Sequence, residues 1–277
     1  MTKALTIAGH ALSVEVPAFI VAECCNNFQN SPEIALRMVD EACAMGAHAV
    51  KFQHRGRLSL LQLEVIAQRA RHHGRAFLCT AYTPQGLFDA APLVDAIKLG
   101  SAEILDPEMR AAALHVAGVR PIIASTGGCT EANVAEIVAH LGAHRGGLVL
   151  MHTTSEYPTM PSRAALGVIP AWQSRYGSES CQIGYSDHTG RVMFPIAAIT
   201  LGATLIEAHF TLHRRLPGPD QVVSHEPADL AALCDFARAW PRARSADKRL
   251  HAAEVTKLSL FRKVWAPEAP VTEGDAP

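Results

Sequence analysis

The sequence predicts an α/β protein built as a single (β/α)8 TIM barrel with a short C-terminal tail. Three observations carry that expectation. Eight short apolar runs alternate with eight stretches of helical period, one unit every 25–35 residues or so. Such alternation implies parallel strands, because a parallel pair needs a crossover connection, and eight units close naturally into a barrel. The rival, an open doubly wound sheet, more often carries a glycine-rich first turn, and AECCNNFQN (22–30) is not one.

The elements follow in order. AFIVAE (18–23) is the first buried-strand candidate. Ser31-Pro32 then starts a helix on which Ile34, Met38 and Ala42 share one face, and Gly46 ends it. HAVKFQ (48–53) is the second strand, with LQLEVIAQRARHHG (61–74) as its helix. RAFLCT (75–80) is the third, followed by a short helix over TPQGLFDAA (83–91) with Pro84 near its start. DAIKLG (95–100) precedes a helix from Pro107 to about Ala117, and PIIAST (121–126) precedes one over EANVAEIVAHLG (131–142). GLVLMH (147–152) leads through a loop with Pro158 and Pro161 to a weaker helix around 163–175. CQIGYS (181–186) pairs with MFPIAAITLG (193–202), whose Pro195 belongs in the first turn. TLIEAHF (204–210) pairs with EPADLAALCDFARAW (226–240). Residues 1–241 thus form the barrel. From Arg242 the chain becomes charged and then proline-rich, which reads as a linker or tail over 242–277.

Composition narrows the function. At 277 residues and 49% hydrophobic, the chain buries a large core unaided. A net charge of -1 gives no broad attraction to nucleic acid or anionic membrane. Seven cysteines without zinc-like spacing read as reduced thiols, and no run reaches the length of a membrane span, so a cytoplasmic protein is expected.

Chemistry in such barrels sits at the C-terminal ends of the strands. Those ends carry Glu23, Lys51 and Gln53, Thr80, Lys98 with Ser101 and Glu103, Ser125 and Thr126, His152, Ser186 with Asp187 and His188, and Glu207 with His209. These are polar or ionisable types where a core would be apolar. The last two strands are barrel neighbours about 5 Å apart, so His188 and His209 are expected to converge on one divalent ion, with Mn, Fe, Co or Zn all compatible with imidazole. Either histidine alone reads equally as a hydrogen-bonded loop base. Lys51 and Lys98 suggest an anionic substrate, with Thr80, Ser101, Ser125 and Ser186 as hydrogen-bond donors. Lys98 reads alternatively as a Schiff-base lysine or a paired structural one. The PGPD turn (217–220) presents Asp220 near the barrel mouth, or is ordinary turn chemistry.

Taken together, VAE…N (21–27), AVKFQ (49–53), IKLGSAE (97–103), IIASTGG (122–128), MHTTSEYPT (151–159), GYSDHTG (184–190) and IEAHFTL…PGPD…S (206–224) resemble the N-acetylneuraminate (sialic acid) synthase family. That family condenses phosphoenolpyruvate with an amino-sugar aldehyde. The resemblance implies His188 and His209 as metal ligands, usually for Mn2+, with Mg2+, Co2+ or Zn2+ as alternatives. It implies Lys51, Thr80, Lys98, Ser101, Ser125 and Ser186 as the phosphoenolpyruvate site, Glu23 and Glu103 as carboxylates at the reacting centre, and Gln53, Tyr157 and Asp220 around an aldose-type acceptor. It also implies a homodimer. Departures are specific. Phe28 and Asn30 replace a usual histidine and glycine, Ser155 stands where asparagine commonly contacts phosphoenolpyruvate, and Ala208 replaces a basic residue. HRGRLSL (54–60) stands in for a long sugar-contacting insert, and KLSLFRKVWAPEAPVTEGD (257–275) resembles only the start of the family's antifreeze-like domain. The reaction class therefore carries over better than the acceptor. A barrel that binds ligand or serves as a subunit without catalysing is the alternative.

Overall fold

The structure, a computed structural model, describes residues 5–259. The chain divides into two compact units, Met1–Pro241 and Arg242–Pro277. The first opens with an antiparallel hairpin of β1 (Thr6–Ile7) and β2 (His10–Ala11). Eight parallel strands follow: β3 (Phe19–Cys25), β4 (Ala49–His54), β5 (Ala76–Ala81), β6 (Ile97–Leu99), β7 (Ile122–Ser125), β8 (Leu148–Thr153), β9 (Cys181–Asp187) and β10 (Leu205–His209). They pair in sequence order, and β10 closes on β3 to complete the barrel.

The helices are α1 (Pro32–Ala44), α2 (Leu60–His72), α3 (Pro84–Ala90), α4 (Pro107–Ala117), α5 (Glu131–Leu141), α6 (Val168–Tyr176), α7 (Met193–Thr200) and α8 (Pro227–Ala243). Five of them start on a side-chain cap. Ser31, Ser59, Thr83, Asp106 and Thr130 each accept a first-turn backbone N–H, and Gln62 and Asn133 return the bond to their caps. The expected helix near 163–175 begins only at Val168, because Pro161–Arg163 form a 3-10 turn and Ala165 takes φ 46, which no helix tolerates. The second unit contains α9 (Ala252–Ser259), where the sequence suggested only a tail. Residues 260–277, with most of the segment resembling the antifreeze-like domain, lie outside the described residues. Among the described residues no helix is long and apolar enough to cross a membrane.

The strands sort their side chains by alternation. Ile20, Ala22 and Cys24 face the helices, as do Val50, Phe52, Ile206 and Ala208. Phe19, Val21, Ala49, Leu78, Ile123, Val149, Met151 and Leu205 fill the barrel interior. Leu5, Ile7 and Leu12 of the hairpin segment join that interior cluster and plug the barrel's N-terminal end. Two-residue strands are too short for any periodicity to announce, which is why the hairpin is not legible in the sequence. Each inward row then changes character toward its C-terminal end: Val21 gives way to Glu23, Ala49 to Lys51 and Gln53, Leu78 to Thr80, Ala96 to Lys98, Ile123 to Ser125, and Leu205 to Glu207 and His209. The apolar half is the floor of the barrel, and the polar half is its site.

Candidate active site

A cavity of about 360 Å³ opens at the C-terminal end of the barrel. Its wall contains Glu23, Lys51, Gln53, Thr80, Lys98, Ser101, Glu103, Ser125, Ser155, Tyr157, Ser186, His188, His209 and Asp220, all of them candidates from the sequence. The strand register explains the convergence. His209, Glu23 and Lys51 are Cα partners across β10, β3 and β4. Gln53, Thr80 and Lys98 are partners across β4, β5 and β6, and Glu207 is level with Ser186. Strand-end residues outside this group behave differently. Thr126 and His152 line a neighbouring cavity of about 280 Å³ with Trp172, and His152 Nε2 lies 2.9 Å from the Ala164 carbonyl.

Lys51 is the hub of the site. Its ammonium pairs closely with Glu23, lies 3.3 Å from Glu207 Oε1 and donates to Thr80 Oγ1 at 3.0 Å. Three acceptors match its three N–H donors. Lys98 Nζ donates to Ser125 Oγ at 2.5 Å and to the Leu99 carbonyl at 3.2 Å, and sits 3.9 Å from Glu207 Oε2. Glu207 therefore stands between two buried cations. Desolvation works to raise its carboxyl, and the two lysines outweigh it, so the group is held below its ordinary range. Burial pushes the Glu23 carboxyl up to about 7, against the opposing pull of Lys51. Burial also pulls the Lys98 ammonium down to about 8, with Lys51 adding repulsion.

Across the cavity the rings of His188 and His209 lie 5.2 Å apart, centroid to centroid, and edge to face. Tyr157 stacks on His188 at 4.1 Å and meets His209 by its edge. His188 Nδ1 is 2.7 Å from the Thr154 carbonyl, which only accepts, so Nδ1 carries the proton and Nε2 keeps its lone pair. Burial lowers the pKa of both imidazoles and keeps them neutral. His209 Nδ1 is buried with no hydrogen-bond partner. Beneath them Asp187, fully buried, accepts from Tyr185 Oη, the Thr189 amide and hydroxyl, and His225 Nε2. The His225 amide in turn donates to the His209 carbonyl at 2.7 Å. Neutral, oriented, partly orphaned imidazoles are the donor set a divalent cation requires.

Several wall residues carry no sequence-based expectation of their own: Cys25, Asn26, Arg55 and Tyr82. Arg55 and Tyr82 stand two positions beyond Gln53 and Thr80. The inward alternation thus continues past the point where the strands look finished, and that was the available signal. Arg55 lies over the Tyr82 ring at 4.1 Å, which fixes a cation in the cavity wall. Of the family departures, Phe28 packs in the outer layer against Phe52, and Ala208 is buried among the helices; neither lines the cavity.

Gly127 shows how tightly one wall is built. Its amide donates to Ser101 Oγ at 3.0 Å, and a Cβ there would collide with the hydroxyls of Ser155 and Ser101. Gly127→Ala is expected to turn both hydroxyls away and weaken anion binding by about 10-fold or more, the loss of one charge-assisted hydrogen bond. The check is the KM for the anionic substrate measured beside the melting temperature, which should stay near that of the parent.

Comparison with known proteins gives a consistent result. Residues 55–248 match the NeuB family, a span well over half of the chain. An N,N'-diacetyllegionaminic acid synthase of Campylobacter jejuni is 34% identical over 163 residues, 56% of this chain and 47% of that protein. An N-acetylneuraminate-9-phosphate synthase of Drosophila melanogaster is 31% identical over 250 residues, 78% of this chain and 66% of that one. The chain thus spans about half of the first relative's length and about two thirds of the second's. The crystal structure of an N-acetylneuraminic acid (sialic acid) synthetase from Leptospira borgpetersenii, in complex with citrate, superposes with a TM-score of 0.82 at 25% identity, covering 94% of this chain and 96% of that one.

Proposed function

Because this chain belongs to the NeuB family, we propose that it condenses phosphoenolpyruvate with a sugar-like aldehyde to give a 2-keto-3-deoxy sugar acid and inorganic phosphate. The observation that carries the reading is the single cavity in which two buried lysines and a row of hydroxyls face a pair of neutral histidines. In this reaction the enol carbon of phosphoenolpyruvate bonds to the aldehyde carbon. The former C2 takes up water, and its bond to the phosphate oxygen breaks.

The residues divide the work by their charges. Lys98, Ser125 and Ser101, the last held by the Gly127 amide, cradle the anion, and Ser155 and Ser186 flank them. Lys51, already satisfied by Glu23, Glu207 and Thr80, keeps the two carboxylates beside that anion from repelling it. Glu23 orients and deprotonates the attacking water; its Oε1 has no partner, and a carboxyl near 7 is matched to that task. Glu103, pushed up by burial, faces the acceptor with Gln53, Tyr157, Asp220 and Arg55. His188 and His209 would hold a divalent ion, which supplies Lewis-acid polarisation of the acceptor's carbonyl oxygen when bound.

The test is phosphate release from phosphoenolpyruvate with Mn2+ and a panel of aldoses, N-acetylmannosamine among them, with and without chelator. Release that needs one aldose and disappears with chelator is expected. Full turnover in excess chelator, or in a protein lacking both histidines, would sink the metal-dependent reading. A second reading has one observation behind it: the lowered ammonium of Lys98 suits a Schiff-base nucleophile. Borohydride added with substrate should leave Lys98 unmodified; a trapped adduct on Lys98 would transfer the weight to that reading.

A further inference from the structure

Strand β3 does not end as its neighbours do. Its register against β4 slips between Glu23 and Cys25, and Cys25 takes φ 48, a left-handed conformation that glycine adopts without strain and other residues rarely do. Bulges of this kind re-aim a side chain, and here the thiol is turned into the cavity. Cys25 Sγ lies 2.6 Å from Asp220 Oδ2, and Gln53 Nε2 is 3.4 Å from the same sulfur. One ring nitrogen of His209 completes a triangle: single donor atoms of Cys25, His209 and Asp220 all lie within 4.8 Å of one another.

The Asp220 loop is tied to this place from the same strand end. Asn27 Nδ2 donates to Ser224 Oγ at 2.8 Å, Ser224 Oγ donates to the Asp220 carbonyl, and Gln29 Nε2 donates to the Pro217 carbonyl at 2.6 Å. The fold thus holds a thiol, a carboxylate and an unpartnered buried imidazole together at the cost of an unfavourable backbone conformation. Nothing in the condensation chemistry itself uses a thiol.

We propose that Cys25 and Asp220 complete the metal site, so that the ion is held by a thiolate and a carboxylate as well as by imidazole, and that the site therefore prefers thiophilic Zn2+ or Co2+ to Mn2+ or Mg2+. This rests on the reading of His188 and His209 as ligands and extends it. Two anionic donors with the neutral imidazole of His209 balance a divalent charge in a buried place, where an unbalanced charge is costly. Thiolate is the softest donor a side chain offers and shifts selectivity accordingly. Binding releases the thiol proton to solvent.

Cobalt titration of the full chain tests it. With Co2+ alone, the parent protein should develop visible d–d absorption together with a near-ultraviolet thiolate-to-cobalt charge-transfer band. Cys25→Gly, which suits the positive φ, should keep its melting temperature and its d–d bands and lose the charge-transfer band. Its affinity for Zn2+ in competition with a chromophoric chelator should fall more than about 10-fold, the lower end of what losing even an outer-shell partner costs, while its affinity for Mn2+ changes far less. Asp220→Asn should weaken Zn2+ with the band retained. If the parent shows d–d bands without charge transfer, Cys25 is no ligand and the histidine reading stands alone. A band that persists in Cys25→Gly assigns it to another of the seven cysteines and also overturns the proposal. Absence of any cobalt spectrum would remove the metal reading as well.

Discussion

Lys51→Met is expected to abolish phosphate release and to lower the unfolding free energy by about 3–5 kcal/mol at neutral pH, the range for breaking a buried ion pair from one side. Lys51, Glu23 and Glu207 are each at most 5% exposed. With the ammonium gone, Glu23 loses its only cationic partner at contact distance among the described residues, and Glu207 keeps among them only Lys98 at 3.9 Å. The sign of the pH dependence follows. Unpaired and buried, the carboxyls have folded-state pKa values above their unfolded ones, so the folded variant binds more protons. Its deficit is small near the unfolded carboxyl pKa and grows as pH rises above it. Urea unfolding of parent and variant at about pH 5 and about pH 8 should show the gap widening. Lys51→Met with Glu23→Gln should recover much of the stability and none of the turnover. A gap that is constant with pH would mean that Lys51 stabilises by packing its stem and not by pairing.

Legibility in the sequence followed the physics of each element. The barrel was readable because eight crossovers need eight helices, and Ser31-Pro32 marks where the first of those helices begins. The inner wall was readable because strand alternation carries Glu23, Lys51, Thr80 and Glu207 inward from apolar rows. Cys25 was not, since a bulge and a positive φ are backbone events with no periodic signature, and AECC looks like any buried run. Glu207 was visible as a strand-end carboxylate, but its place between Lys51 and Lys98 depends on register across three strands. Asp220 was legible as a turn residue, while its approach to His209 and Cys25 is set by hydrogen bonds from Asn27 and Gln29 that span 197 and 188 residues of sequence. Ala208 marks the opposite error. It departs from the family pattern, yet alternation turns it into the helix layer, away from the chemistry.

The second large effect is a narrow bell in kcat/KM for phosphoenolpyruvate. The free enzyme's pKa values set that profile. A base must be ionised, so activity rises as Glu23 loses its proton near 7. An anion-binding ammonium must be charged, so activity falls as Lys98 loses its proton near 8. Bound phosphoenolpyruvate places negative charge beside Lys98 and holds that proton on, so the descending limb should move to higher pH in kcat alone. Glu23→Gln keeps the shape of the side chain and removes the base. It should cost about 10²–10⁴ in rate, the usual span for general-base loss, and erase the ascending limb. Lys98→Arg stays charged throughout and should erase the descending limb, at a lower absolute rate because the fork does not fit the ammonium's bonds to Ser125 and Leu99. The sign of the high-pH limb also separates the two chemistries available to this lysine. An ammonium that grips an anion loses function above its pKa, whereas an amine that attacks a carbonyl gains it there. A fall in kcat/KM through about pH 8 is the condensation site at work, and a rise through the same range would make Lys98 the nucleophile.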